Sequence, residues 1–249
     1  MDVTAIRKMV DGPNSTSLNC EHECDACKDT GFINHEKDGY LFGVECNCQG
    51  MKRSGRMIEK SGLKHLLDRC TLNTFEAQEP WQQVAKARAR EFVNDTENEW
   101  FYVGGAVGSG KTHICTAIVG ELIKQGRAAR YMLWRDDSVR IKASVNDEEG
   151  YYEAVNPLKI VEVLYIDDFF KTQKGRDVTG GDVNLAFEII NYRYNNPGSI
   201  TLISSERTID EIMDIDQAVG SRIYQKAGKY RLSIGRGENK NYRLREVNL

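Results

Sequence analysis

Short apolar segments alternate with longer amphipathic segments over the last two thirds of the chain. Largely apolar runs predict buried strands, and apolar residues at spacings of three and four predict helices between them. This alternation is typical of a parallel sheet in an α/β protein, because parallel strands need a helical crossover. The predicted strands are EWFYV (99–103), ARYMLW (129–134), VEVLYI (161–166) and SITLIS (199–204), and the predicted helices are 112–126 and 184–196. The polar, glycine-rich segment 171–182 is expected to be a mobile loop.

The first third of the chain lacks this alternation. Residues 1–19 are polar and rich in turn formers, and a cysteine-rich stretch follows them. A basic helical pattern over 51–69 fits either a binding surface or a solvated helix face. Residues 71–82 have the composition of a connecting segment. We therefore predict two domains, an N-terminal module over residues 1–70 and an α/β domain over 71–249.

Composition and charge narrow the class of protein. The 249 residues are 40% hydrophobic and 29% charged, which is typical of a soluble globular protein. No stretch approaches the roughly 18 apolar residues of a membrane span, and the N-terminus lacks the apolar core of a secretory signal. We therefore expect a cytoplasmic protein without a membrane partner. The net charge of −3 argues against an overall basic nucleic-acid binder but is compatible with local basic surfaces.

The segment GAVGSGKT (105–112) matches the pattern of a phosphate-binding loop, G-x-x-x-x-G-K-[ST]. Its glycines let backbone N–H groups turn toward phosphates, and the following helix adds its positive N-terminal end. Lys111 is expected to reach the β- and γ-phosphates, and Thr112 is expected to bind Mg²⁺. We predict bound ATP and Mg²⁺, with the nucleotide held by Gly105, Val107, Gly108, Ser109, Gly110, Lys111, Thr112 and His113.

Two carboxylates follow the third predicted strand, in VLYIDDFF. Asp167 is the predicted Mg²⁺ ligand, and Asp168 is predicted to orient or deprotonate the attacking water. An acidic pair alone is as often a helix cap, but its position downstream of a phosphate-binding loop favours catalysis. At the end of the fourth strand, ISSER offers Ser205 or Glu206 as a sensor of the γ-phosphate. The alternative there is a plain strand-to-turn transition.

Five of the seven cysteines lie between residues 20 and 48. In a reducing compartment such clustering indicates metal ligation over disulfides, and four thiolates suit a tetrahedral Zn²⁺ site. The module is too short to bury its own core, so zinc would supply most of its folding energy. The predicted ligands are Cys24, Cys27, Cys46 and Cys48, with Cys20, His22 and His35 as alternatives because the C-x-C spacing of the second pair is unusually tight.

The ordered motifs GAVGSGKT, YIDDFFK, ISSERT, GSRIYQ and NYR resemble AAA+ helicase loaders of the DnaC/DnaI type, especially versions carried by bacteriophages. The resemblance covers nearly the whole chain, although the first two motifs alone fit any AAA+ protein. It implies an α/β AAA+ P-loop ATPase core with a central parallel sheet, preceded by a small zinc-binding module that contacts a hexameric replicative DNA helicase. The implied function is ATP-dependent delivery of that helicase onto single-stranded DNA during phage DNA replication.

The resemblance also assigns roles to two arginines. Arg222 in GSRIYQ matches the arginine finger, which stabilises charge on the nucleotide of a neighbouring subunit and implies self-association through the ATPase domain. Arg243 in NYR matches the second sensor, and the six residues after it are too few for a C-terminal lid domain. The alternative for each arginine is an exposed basic residue without a catalytic or sensing role. Two departures stand out: Asp-Asp replaces the frequent Asp-Glu pair, and Ser-Ser-Glu replaces the asparagine usual at the first sensor of bacterial loaders.

Three other functions fit parts of the sequence. A transposition helper ATPase would share the AAA+ core but act on duplex DNA. A small-molecule P-loop kinase would need an acceptor pocket and would leave the cysteine module without a role. A zinc-stabilised binding module could retain a phosphate-binding loop that is no longer used.

Overall fold

A computed structural model describes residues 24–37, 39–60, 63–95, 100–172, 176–235 and 241. The chain divides into two compact units, residues 1–46 and 47–249. In its described part the first unit contains an antiparallel hairpin of β1 (Phe32–Lys37) and β2 (Tyr40–Glu45). We did not predict this hairpin, although the Asp38-Gly39 dipeptide between the strands is a hairpin signal.

The second unit is built on a five-stranded parallel sheet. Its strands are β3 (Trp100–Gly105), β4 (Ala129–Leu133), β5 (Val163–Asp167), β6 (Ile200–Ser205) and β7 (Arg231–Ile234). Across the sheet the strands follow the order β4-β5-β6-β3-β7. The four predicted strands are confirmed. The fifth, RLSI, was missed because it is short and half polar.

Helices cover both faces of this sheet. Trp100 and Tyr102 of β3 belong to one buried apolar cluster, whereas Phe101 and Val103 belong to another, as the alternation of a strand buried on both faces requires. Among the described helices, none has both the length and the apolar character needed to cross a membrane. The helices are α1 (Asn47–Lys60), α2 (Lys64–Arg69), α3 (Pro80–Asn94), α4 (Lys111–Lys124), α5 (Trp134–Ala143), α6 (Glu148–Ile160), α7 (Gly180–Asn195), α8 (Ile209–Ile215) and α9 (Gln217–Ala227).

Helices α1 and α2 belong to the second compact unit, whereas we expected residues 47–70 to belong with the cysteine module. Ile58 and Leu63 are buried in the same apolar cluster as Phe101 and Ile118, so these helices pack against the sheet domain. The basic residues of this segment suggested a surface helix, although one face of it is apolar. The division of functions at residue 70 stays a prediction.

The expected loop 171–182 is shorter than predicted, because α7 already begins at Gly180. Thr179 caps this helix, and Asp182 completes a capping box by accepting from the Thr179 backbone N–H (3.0 Å). The expected connector 71–82 likewise gives way to α3 at Pro80, since proline is favoured in the first turn of a helix.

Arg193 on α7 is fully buried. Its guanidinium donates hydrogen bonds to the Thr201 hydroxyl and to backbone carbonyls at the end of α6, before β5 and at the start of β6, so one side chain joins three elements. Burial lowers the pKa of Arg193 to about 9, and the group stays charged at neutral pH. The accepting carbonyls belong to Leu158, Lys159, Val161, Glu162 and Ile200.

Arg193→Met is expected to lower the free energy of unfolding by about 3 kcal/mol, because buried carbonyl oxygens lose their donors. Urea unfolding followed by circular dichroism measures this change. Arg140→Met is the matched control, since Arg140 is 80% exposed, and it should change the stability by less than about 0.5 kcal/mol. Similar small effects of both substitutions would contradict the assignment.

Candidate functional site

The loop between β3 and α4 has the backbone that phosphate binding requires. Gly105, Gly108 and Gly110 have φ values of 109°, 70° and 86°, a region that side chains disfavour. A Cβ atom at Gly105 would lie 2.0 Å from the carbonyl oxygen of Ile234 on the neighbouring strand β7. The loop can therefore adopt this path only with glycine at these positions, and it leads directly into the N-terminus of α4.

Lys111 is the first residue of α4, and its side chain lies under the loop with 7% exposure. Its Nζ donates hydrogen bonds to the carbonyl oxygens of Gly105 (3.0 Å) and Ala106 (2.6 Å). Burial lowers the pKa of Lys111 from its usual range. Ser109, also buried, donates to the Ala106 carbonyl, whereas Val107 at the tip of the loop is half exposed.

Asp167 ends β5 and is buried beside the start of α4. Its carboxylate accepts hydrogen bonds from the hydroxyls of Thr112 (3.2 Å) and Tyr131 (3.1 Å) and from the Ser204 hydroxyl. The structure thus brings together Thr112 and Asp167, the two predicted Mg²⁺ ligands. A hydroxyl and a carboxylate beside a phosphate-binding loop are oxygen donors of the kind that Mg²⁺ prefers. Tyr131 and Ser204 were not predicted to take part.

Ser204→Ala is expected to raise the Mg²⁺ concentration that supports half-maximal ATP hydrolysis by about 10-fold, because the Asp167 carboxylate loses a donor that orients it. A Mg²⁺ titration of hydrolysis at saturating ATP measures the effect. Ser221→Ala, which removes an exposed hydroxyl on α9, should leave the titration unchanged. An unchanged midpoint in the Ser204 variant would exclude this orienting role.

Asp168 follows Asp167 in an unusual turn. Asp168 and Phe170 have φ values of 54° and 56°, and the buried rings of Phe169 and Phe170 pack against Trp134 at 4.8 and 5.5 Å. Burial raises the pKa of Asp168, and the hydrogen bond from Lys171 opposes this effect. Positive φ values outside glycine cost energy and are typical of functional sites, where the surrounding packing maintains them.

Ser205 and His113, two of the predicted nucleotide contacts, instead contact other parts of the protein in this structure. The buried Ser205 hydroxyl donates to the Phe169 carbonyl (2.7 Å), so it is used inside the fold. His113 points to the connector, where its Nε2 lies 3.1 Å from the Thr71 carbonyl oxygen and its ring contacts Phe75 edge-on. Glu206, the other sensor candidate, is partly exposed and pairs with Lys171.

Of the two predicted arginines, the structure describes Arg222 but not Arg243. Arg222 lies on α9, where its Nη1 donates to the Ala218 carbonyl (2.8 Å) and its guanidinium lies over the rings of Phe187 and Tyr194. These contacts lie outside the phosphate-binding loop. Arg243 lies outside the described residues. Asn241 of the same NYR motif is described, and its amide oxygen would lie 2.0 Å from a Cβ placed at Gly108.

The cysteine cluster contains all four predicted ligands. The sulfur atoms of Cys24, Cys27, Cys46 and Cys48 lie within 4.8 Å of one another. The Cys24 and Cys46 sulfurs are 3.8 Å apart, which equals the separation of about 3.8 Å between sulfurs of a tetrahedral site with Zn–S distances near 2.3 Å. The donor set therefore fits a zinc ion. His35 instead stacks on Phe42 in the hairpin, and Cys20 and His22 lie outside the described residues.

Residues 35–225 match the family described as IstB-like ATP binding protein, which is more than two thirds of the chain. The chain belongs to this family. The IstB-like chain is thus an ATP-binding ATPase, as the phosphate-binding loop predicted, and its AAA+ class agrees with the resemblance to DnaC-type proteins.

Relatives of the IstB-like chain include phage-like and replication proteins. YqaM of Bacillus subtilis is 34% identical over 215 residues, which are 82% of this chain and 67% of YqaM. The phage-like element PBSX protein XkdC of the same species is 29% identical over 91% of this chain and 88% of its own. The replicative helicase loader DnaC of Escherichia coli is 26% identical over 45% of this chain and 47% of its own.

Solved structures confirm the fold class of the IstB-like chain. A DNA replication initiation factor has a TM-score of 0.57 and 21% identity, covering 73% of this chain and 56% of its own. The DnaC helicase loader has a TM-score of 0.56 and 21% identity, covering 70% of this chain and 99% of its own. The predicted resemblance to DnaC-type proteins is therefore confirmed in sequence and in fold.

Proposed function

We propose that this IstB-like protein delivers a hexameric replicative DNA helicase onto single-stranded DNA during phage DNA replication. The observation that carries the proposal is the match to DnaC, which is described as a replicative helicase loader, in a chain that also matches XkdC of a phage-like element along 91% of its length. The nucleotide site, in which Lys111 lies under the phosphate loop and Thr112 meets Asp167, supports an ATP-driven switch.

Self-association through the ATPase domain is the second part of the proposal. Arg222 is partly exposed, and its contacts are with the rings of Phe187 and Tyr194 on α7 and with the Ala218 carbonyl on α9. A guanidinium in this position suits contact with the nucleotide of a neighbouring subunit, where its charge would stabilise the γ-phosphate. ATP would then assemble the loader, and hydrolysis would release the helicase.

The third part concerns the N-terminal module. We assign Zn²⁺ to the four clustered cysteines, because their sulfur spacing fits a tetrahedral site and three of the four are buried. The ion would tie the first cysteine pair to the second on either side of the hairpin, and the module so formed would contact the helicase. The predicted ATP, Mg²⁺ and Zn²⁺ then have separate roles, the first two in switching and the third in folding.

A reconstituted loading reaction tests this function. Purified protein, the replicative helicase of the host and a circular single-stranded DNA are mixed with ATP, and helicase bound to the circle is measured after gel filtration. Loading that depends on the protein and on ATP supports the proposal. Filament formation on duplex DNA without helicase binding would favour a transposition helper, and phosphotransfer to a small acceptor would favour a kinase.

Pull-down from phage-infected cells is a complementary test in the natural setting. The hexameric helicase should copurify with the intact chain, and Cys24→Ser should reduce its recovery if the zinc module forms the contact. Cys70→Ser is the control, since Cys70 lies outside the cluster. Recovery of the helicase by the intact chain and equally by both variants would place the contact outside the module.

A further inference from the structure

Lys171 lies at the centre of a cluster of charges where β5 and β6 end. Its Nζ lies 3.0 Å from Asp168 Oδ2 and 2.8 Å from Glu206 Oε1. The three side chains are 27–33% exposed, unlike the buried Asp167 next to them. Ligands of open α/β sheets bind at the carboxyl ends of the strands. The cluster is therefore accessible to a ligand on the side of the sheet where the nucleotide is expected.

The cluster is also electrostatically close to the phosphate loop. Burial is the main influence on the pKa of Lys111 and lowers it, Glu206 and Asp168 raise this pKa, and Lys171 lowers it further. The geometry agrees, since Asp167 accepts from Thr112, which follows Lys111 at the start of α4, and Asp168, the next residue, pairs with Lys171. Since Lys111 is the predicted partner of the β- and γ-phosphates, we place Lys171 on the terminal phosphate side of the site.

Lys171 balances the negative charge of Glu206, which lies near two other carboxylates. Two carboxylates, Asp167 and Asp168, already face the region where a polyanion must bind, and an unpaired third carboxylate would repel the terminal phosphate. The ion pair with Lys171 cancels that charge. The Ser205 hydroxyl is committed to the Phe169 carbonyl, whereas the lysine that Glu206 holds provides a charged donor at the end of β6.

The turn before Lys171 fixes its backbone. Phe169 and Phe170 are fully buried, their rings stack at 4.2 Å, and the Lys171 backbone N–H donates to the Asp168 carbonyl (2.9 Å). The start of the lysine side chain is thus held in place, while its four-carbon stem leaves the amino group free to exchange one acceptor for another.

We propose that Lys171, positioned by Glu206, binds the γ-phosphate of ATP and thereby takes the role of the first sensor. With ATP bound, the amino group donates to a γ-phosphate oxygen, keeps its contact with Glu206 and releases the Asp168 carboxylate to orient the attacking water. With ADP bound, the amino group returns to Asp168. The inference rests on the ATPase activity within the proposed function and is independent of helicase loading.

Nucleotide affinities measured by calorimetry in the presence of Mg²⁺ test the proposal. Lys171→Met should weaken the binding of a non-hydrolysable ATP analogue by about 10-fold and leave ADP binding unchanged, because only ATP has the γ-phosphate. Lys124→Met is the control, since Lys124 is 68% exposed on α4, and it should bind both nucleotides like the wild type. An equal loss for both nucleotides, or no loss for either, would overturn the proposal.

A double variant separates phosphate binding from a purely structural role of the ion pair. Lys171→Met combined with Glu206→Met removes both charges of this ion pair, and Asp168 loses its contact with Lys171 in the single and the double variant alike. The thermal unfolding temperature of the double variant should then equal or exceed that of Lys171→Met, while the preference for the ATP analogue over ADP stays lost. Recovery of that preference in the double variant would show that the ion pair of Lys171 and Glu206 has only a structural role. A wild-type protein that binds neither nucleotide would instead refute the ATPase assignment itself.

Discussion

Lys111→Ala is expected to lower the rate of ATP hydrolysis by about 1000-fold, because the variant lacks the cation that offsets charge on the β- and γ-phosphates. The side chain is 7% exposed and lies under the loop, where its Nζ contacts the carbonyl oxygens of Gly105 and Ala106. Steady-state hydrolysis and binding of a fluorescent ATP analogue measure the two consequences. Helicase loading should be lost together with hydrolysis if ATP drives it.

The matched control is Lys124→Ala, at the other end of the same helix and 68% exposed. It should hydrolyse ATP at the wild-type rate, and both variants should unfold within a few degrees of the wild type. Normal helicase loading by a Lys111→Ala protein without ATPase activity would show that the ATP site is vestigial and would support a zinc-stabilised binding module.

Removal of zinc is expected to unfold the N-terminal unit. Its hairpin cannot provide a core, since Tyr40 and Leu41 are 78% and 76% exposed and Phe32 is 57% exposed. Structural zinc sites supply apparent binding free energies of about 10–16 kcal/mol, which far exceeds what a two-stranded hairpin gains alone. Cys24→Ser, or treatment with a chelator, should therefore release the metal and make the chain sensitive to proteolysis around residues 24–46.

Metal content by mass spectrometry and limited proteolysis check this result. Wild-type protein should carry one zinc per chain, Cys24→Ser none, and Cys70→Ser the wild-type amount. Full zinc content in Cys24→Ser would contradict the four-cysteine site and would direct the search to Cys20, His22 and His35. Acidification should also release the metal, because thiolates must lose their protons to bind it.

Much of the ATPase domain could be predicted because its signals are local. The loop from Gly105 to Thr112 specifies its own path through glycines, and the four predicted strands are apolar on both faces. The pair Thr112 and Asp167 was also predictable, since a P-loop fixes which strand must lie beside it.

Other contacts could not be read from the sequence because they join distant residues. Lys171 meets Glu206 only because β5 and β6 are adjacent in the sheet, and the motifs YIDDFFK and ISSERT that contain them do not predict this pairing. Arg193 looks like a polar residue on the outer face of NLAFEIINYRYNN but is the main donor to the buried ends of three elements. Likewise, Ser204 and not Ser205 contacts Asp167, since successive residues of a strand point to opposite faces.

The packing of Trp134 on Phe169 and Phe170 gives the protein an intrinsic optical reporter. The indole lies 4.8 Å from the ring of Phe169, which directly follows Asp168. Any rearrangement of that turn between the ATP and ADP states changes the surroundings of the indole and so its emission. In a variant with Trp81→Phe and Trp100→Phe, the fluorescence of Trp134 would follow the nucleotide cycle in real time, without an added dye.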